Sequence, residues 1–182
     1  NMSTQQILLG AGGGAEEAKY IDQVYHTDVW IGNDSTSART FGGGLDLSGN
    51  GGFVQVRKRN ENDVSAWFDT KNGGTKKWRC ASTGALDATN YGINFLADGF
   101  SFATNNDEIN GTNSKYYVSH SYRCAPYFFD VKEYTGTGNS GLTVSHDLAC
   151  NPAWILIKNK GSGSGYFIHK HGPNGMTGHM GV

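Results

Sequence analysis

No apolar run in this chain is longer than a few residues, far short of the roughly 20 that a helical membrane span requires. The N-terminus likewise lacks the long apolar core of a secretory signal, so the sequence reads as a soluble product made in a cytoplasm. Neither sign of charge dominates. Fifteen Lys and Arg stand against sixteen Asp and Glu, a formal net charge of −1. That balance provides no electrostatic footprint for gripping nucleic acid or an anionic membrane surface. Cysteine is scarce, and Cys80, Cys124 and Cys150 are odd in number and far apart, which excludes a disulfide framework and paired metal ligands. Helical periodicity is scarce too. Beyond one stretch at about residues 15–26, no segment carries apolar residues at i, i+3, i+4 and i+7.

What the chain has is glycine and aromatic residues: 27 Gly with 9 Tyr, 9 Phe and 4 Trp in 182 residues, and only 3 Pro. Many short strands joined by glycine-rich turns give this composition, as in sandwiches and barrels. The strand pattern is explicit. Val54 and Val56 alternate with Gln55 and Arg57, Phe100 and Phe102 flank Ser101, and Tyr116, Val118, His120 and Tyr122 alternate with Tyr117, Ser119, Ser121 and Arg123. Further strands are expected at 27–32, 65–69, 77–80, 127–134, 142–145, 153–158 and 165–170. Turn signals such as Gly42-Gly43-Gly44, Asn50-Gly51-Gly52, Asn72-Gly73-Gly74, Asp98-Gly99, Asn110-Gly111 and the run 161–165 separate them.

One motif points elsewhere. Gly10-Ala11-Gly12-Gly13-Gly14-Ala15 follows Ile7-Leu8-Leu9 and fits the G-x-G-x-x-A of a dinucleotide fingerprint, with Asp34 placed as a ribose-binding acid. Such a fold must continue through further β-α units, and nothing after Asp34 supplies a helix. The segment is therefore read as a glycine hinge in an N-terminal arm, without a cofactor, and a nucleotide-dependent oxidoreductase rests on Gly10 to Ala15 alone.

The chain also repeats itself. "LDLSGNGGFVQVRKR" (45–59) aligns without gaps on "HDLACNPAWILIKNK" (146–160), setting Leu47 on Leu148, Asn50 on Asn151, Phe53 on Trp154, Val54 on Ile155 and Val56 on Ile157. The same offset of 101 residues sets Gly74 on Gly175. A repeat of domain length implies tandem β-modules, because solenoid units are shorter. The expected architecture is an all-β chain: an N-terminal arm (1–19), an antiparallel, jelly-roll-like β-sandwich module (20–126) and the first half of a second module (127–182).

Several segments together resemble a known family: "YIDQVYHTDVWIGND" (20–34), "GLDLSGNGGFVQVRKR" (44–59), "FLADGFSFATNNDEINGT" (95–112), "YYVSHSYRCAPYFFDVKEYTGTGN" (116–139) and "TVSHDLACNPAWILIKN" (143–159). They are similar to the repeated β-domains of large virion structural proteins, tail or fibre-like, of marine phages such as cyanophages and pelagiphages. The shared motifs are Asp98-Gly99-Phe100, Arg123 to Pro126, Phe128 to Val131, Tyr134 to Gly138 and Ser145-His146-Asp147-Leu148. This chain departs in having no Trp near His120. The resemblance implies a virion structural protein, most simply a tail fibre or similar appendage made in the host cytoplasm. It implies assembly with other virion subunits as a homo-oligomer, a trimer for preference, and contact with host surface glycans. No enzyme activity is expected.

Chemistry-bearing residues are sparse. His169-Lys170-His171 with His179 could face a metal from one side of a strand, but they read more simply as a polar strand and loop, and no metal is expected. His26, His120 and His146 lack a nucleophile partner and read as structural. Asp98 reads as a turn former. A glycan depolymerase needs two carboxylates across a cleft, whereas Asp22, Asp46, Asp69, Asp87, Asp98, Asp107, Glu108 and Asp130 scatter among turns and strand ends. Trp30, Trp67 and Trp78 are conceivable sugar-stacking residues of a carbohydrate-binding module, the main alternative reading, although Trp67 and Trp154 sit in strand patterns that suit a core. No catalytic, cofactor or metal residue is assigned.

Overall fold

The computed structural model describes residues 20–63, 65–79, 84–161, 166–172 and 175–181. The N-terminal arm with Gly10 to Ala15, and Cys80, lie outside them. The fold is an all-β antiparallel sandwich with very little helix. In chain order it runs β1 (Tyr25–Ile31), β2 (Arg39–Phe41), α1 (Leu47–Asn50), β3 (Gly52–Lys58), β4 (Ala66–Asp69), β5 (Lys76–Arg79), β6 (Asp87–Ala88), β7 (Asn94–Leu96) and β8 (Gly99–Phe102). Then follow α2 (Asp107–Asn110), β9 (Tyr116–Arg123), β10 (Trp154–Lys158), β11 (Tyr166–Gly172) and β12 (Gly175–Gly181).

A six-stranded sheet has the order β1-β9-β3-β4-β5-β6, and β2-β8-β7 form a second, three-stranded sheet. Every ladder is antiparallel. Alternation places the core. On β3, Val54 and Val56 are fully buried while Gln55 and Arg57 turn outward, and β9 buries Tyr117, Ser119 and Ser121 in the same way. Val54, Val56 and Tyr117 meet Phe100 and Phe102 of the smaller sheet, with Leu47 from α1 and Ile109 from α2 closing the layer. Trp30 lies at the centre of the aromatic part, with ring centroids 4.5 Å from Phe41, 5.5 Å from Tyr117 and 5.7 Å from Phe102.

The turn at Asp98-Gly99 requires its glycine. Gly99 has φ +140°, and a Cβ there would stand 1.9 Å from the Phe41 carbonyl oxygen.

Two local expectations are corrected. Of the helix expected over 15–26, the described part is a single 3-10 turn, Ile21–Gln23, after which β1 begins at Tyr25. The ladder with β9, which pairs every residue of β1, outweighs weak helical periodicity. Residues 127–134 and 142–145 form no strand. A turn diverts the chain after β9: Phe128 and Phe129 both donate their N–H to the Ala125 carbonyl, and Tyr127 adopts φ +62°. Phe128 and Phe129 then lie on Tyr122, and Phe129 also on Phe53, on the outer face of the large sheet.

The internal repeat is visible in the backbone. Strands β10, β11 and β12 form a separate antiparallel meander, as β3, β4 and β5 do within the large sheet. Adding 101 to the pairs Phe53↔Asp69, Val54↔Phe68, Gln55↔Trp67 and Val56↔Ala66 gives Trp154↔Lys170, Ile155↔His169, Leu156↔Ile168 and Ile157↔Phe167, which are pairs the second meander makes.

Two neighbours in register predict opposite outcomes. Val56 and Ser119 are paired and fully buried, and the Ser119 hydroxyl finds no partner among the described residues. Val56→Asp should cost about 3 kcal/mol or more, the order expected of an unpaired buried charge. Ser119→Ala should leave stability unchanged or raise it by up to about 1 kcal/mol, since it removes an unsatisfied hydroxyl. Urea melts of both variants check the face assignment.

Candidate functional site

The short pairing of β5 with β6, opposite α2, forms the wall of an open polar cavity of about 410 Å³. Lys77 points inward from β5 and is 3% exposed. Its ammonium lies 2.5 Å from Glu108 Oε2 of α2 and also donates to the Tyr91 hydroxyl. Tyr91 in turn donates to the same Glu108 oxygen. Burial, reinforced by the Glu108 carboxylate, raises the Tyr91 phenol well above its ordinary range. Arg79, two residues along β5, reaches Glu108 Oε1 at 3.4 Å and Asp87 Oδ2 at 3.1 Å. Ala88, Thr89, Asn90 and Asn106 complete the lining. Asn106 also caps α2, its side-chain oxygen accepting from the Glu108 N–H at 2.9 Å.

Chemically this is a neutralised cavity. Glu108 pairs with both Lys77 and Arg79, Asp87 pairs with Arg79, and burial beside Glu108 holds the Tyr91 phenol protonated. Planar amide, guanidinium and carboxylate groups around an open bowl suit a polyhydroxylated ligand. A second cluster is built on the adjacent residue of α2, Asp107. Lys58, 5% exposed, contacts Asp63 at 2.7 Å, Glu61 at 3.1 Å and Asp107. Burial alone would lower the Lys58 ammonium, but hydrogen bonds to Asp107, Asp63 and Glu61 outweigh it and hold the group above the usual lysine range.

The outer face of the large sheet is aromatic. Tyr25, Tyr122 and Phe53 form one row and His120, Gln55 and Trp67 the next. His120 Nδ1 lies 2.7 Å from the Tyr25 hydroxyl. At its margin Val29, Ile31 and Tyr116 are exposed.

The residues singled out from sequence fall as follows. Trp30 and Trp78 are buried, their indole N–H groups donating to the Ile109 carbonyl and to Asp69. Trp67 is half-buried against Phe53. Trp154 is not core: it is 52% exposed, and among the described residues no strand lies beside β10 as β9 lies beside the matching Phe53. His26 lies 3.3 Å from Asp28, and His146 stands in a turn where its Nδ1 accepts from the Leu148 N–H at 3.4 Å. Asp98 occupies the β7–β8 turn and accepts from Gly44 N–H through its carbonyl. Asp46 caps α1, Asp69 accepts from Trp78 and Asn72, and Asp130 from the Asp147 N–H. Asp22 lies in the 3-10 turn ahead of β1. Register sets His169 of β11 opposite His179 of β12, with His171 past a bulge. Among the described residues, no three His, Cys, Asp or Glu are placed to hold a metal.

Asp87 and Glu108, scattered in sequence, are brought together, and the Lys77–Tyr91–Glu108 cluster was not foreseen. Nothing in "TKKWR" says which lysine turns inward. The local hint in the sequence is that Lys77 alternates with Trp78 along a strand.

Residues 18–180 match a family described as Domain of unknown function (DUF7483). The chain belongs to this family. No curated protein and no solved structure matches it. The DUF7483 match runs from ahead of β1 into β12, so the second meander lies within the span that defines the family. No helix among the described residues of this DUF7483 chain is long and apolar enough to cross a membrane.

Two outcomes test the cavity. Glu108→Gln leaves the Lys77 charge buried without a counter-ion and should cost about 3 kcal/mol, while the double variant Lys77→Met/Glu108→Leu should recover most of it. The raised Tyr91 pKa has a definite sign. Below the ordinary phenol value of 10.0 its contribution is fully present, and above it the unfolded chain releases the proton first, so stability falls as pH rises. Tyr91→Phe should therefore be less stable at pH 8 and show a shallower decline between pH 9.5 and 11, measured by urea midpoints.

Proposed function

We propose that this DUF7483 chain is a structural module of a phage virion, in a tail fibre or similar appendage, that acts through assembly contacts with other virion subunits. The observation that carries the reading is the recurrence of one three-stranded meander in the same β3–β4 register 101 residues on. Stacked copies of one β-module extend a particle component by repetition, and each copy needs only a packed core and compatible edges. The motifs shared with marine phage tail and fibre proteins fit that role. Asp98-Gly99-Phe100 makes the β7–β8 turn, and Arg123 to Pro126 ends β9 and starts the turn that follows. Their positions are those of framework residues. The charged side chains of the cavity and of the Lys58 cluster are spent on one another.

A second reading, host-glycan binding by a lectin-like module, is favoured by one feature, the polar bowl lined by Arg79, Asp87, Asn90 and Asn106. It is compatible with the first, since an appendage meets the host surface.

Gold-labelled antibodies against the chain, applied to purified particles of the phage that encodes it, should decorate an appendage, and mass spectrometry of the particles should recover its peptides. Particles without either would overturn the virion reading. A glycan array adds the second arm. Binding abolished by Arg79→Ala with an unchanged melting curve would place adhesion in the bowl, and an array blank for the native chain would remove the lectin reading while leaving the structural one.

A further inference from the structure

Strand β3 is interior to its sheet. One edge takes β4, and the other takes β9 in an unbroken ladder from Gly52↔Arg123 to Lys58↔Tyr117. Strand β10 repeats β3 and takes β11 in the equivalent register, but among the described residues no strand occupies its other edge. Exposure differs accordingly. Val54 and Val56 are fully buried, whereas the matching Ile155 and Ile157 remain partly exposed and Trp154 is 52% exposed. The run Trp154-Ile155-Leu156-Ile157 carries no charge or proline to blunt it. Natural edge strands are normally protected by such devices, and a bare apolar edge is a template for another strand.

We infer that the open edge of β10 is an acceptor for an antiparallel strand of β9 type, supplied by a neighbouring module of the same family. The occupant follows from the repeat. The shared β3–β4 register gives β10 the same pleat toward its free edge that β3 presents to β9. Carrying the β3–β9 register across sets Trp154 opposite a tyrosine, Ile155 and Ile157 opposite serines, and Leu156 opposite a histidine, as Phe53, Val54, Val56 and Gln55 stand opposite Tyr122, Ser121, Ser119 and His120. Small serines beside Ile155 and Ile157 leave the inner face open to a second sandwich layer. The aromatic pair on the outer face repeats Phe53 and Tyr122, whose rings lie 5.9 Å apart. Main-chain hydrogen bonds supply the affinity of such an added strand, and the alternating side chains its selectivity. This inference rests on the repeat and holds whether or not the protein belongs to a virion.

The test extends the full chain after Val182 with a second copy of residues 82–126, which returns a β9 sequence at the offset of the repeat. A matched protein carries the same extension with residues 116–123 of the copy scrambled. Hydrogen exchange is read at the amides of 154–158, with 54–57 of β3 as the internal control for an intact first sandwich. The expected result is exchange at 154–158 at least ~10-fold slower in the intact extension than in the scrambled one, with 54–57 equal in both, as for amides moved into a paired ladder. Equal exchange at 154–158 in the two proteins overturns the inference. So does protection that appears in both and rises with protein concentration, which would mean that β10 pairs with a second β10.

Discussion

Strand β9 holds the sandwich together. It lies between β1 and β3, pairing each through a ladder of seven residues, and so joins the first strand of the module to its central meander. Its inner side chains reach further. The Tyr117 hydroxyl donates to the Asp107 carbonyl and accepts from the Gly111 N–H, fixing both ends of α2, while Arg123 Nε donates to the Gln23 carbonyl ahead of β1. Because β9 comes late in the module, the pairs of its ladder with β1 close loops of about 90 residues. Their entropic cost grows only slowly with loop length, but it must be met before the sheet becomes continuous. A chain of this topology assembles its centre last.

The four-residue helix α2 depends on the sheet as much as the sheet depends on it. Asp107 and Glu108 are adjacent in sequence and diverge to different lysines, Lys58 at the end of β3 and Lys77 on β5. Each lysine is almost fully buried and each carries more than one acceptor, the condition under which a buried ammonium is tolerated. The two ion pairs act as rivets across one edge of the core. The polar cavity is the outer surface of one of them.

Alternation made β3, β8 and β9 legible in the sequence, since one face of each meets the core and the other does not. The repeat was legible for the same reason: Val54 and Val56 and their counterparts Ile155 and Ile157 obey one pattern. Partnerships were not legible. Nothing local joins Lys77 to Glu108, 31 residues away, because the pairing depends on where β5 and α2 pack. The sequence at 127–134 is as apolar and aromatic as a strand, yet Phe128 and Phe129 fold over Tyr122, and among the described residues no neighbouring strand offers them a ladder. Trp154 fails as a core residue on the same ground. A strand pattern states that a segment can pair, and whether it does depends on an edge elsewhere.

The antiparallel pairing of β1 with β9 sets Tyr25 opposite Tyr122, so the polypeptide enters and leaves the large sheet at one corner. The sandwich therefore hangs beside the line of the chain, and tension along a string of such units would pass through that corner alone. Pulling there opens the β1–β9 ladder from its end, one hydrogen bond after another, as a zipper opens. It does not shear all of them at once. Mechanical strength in a fibre of these units would have to come from bonds between neighbours.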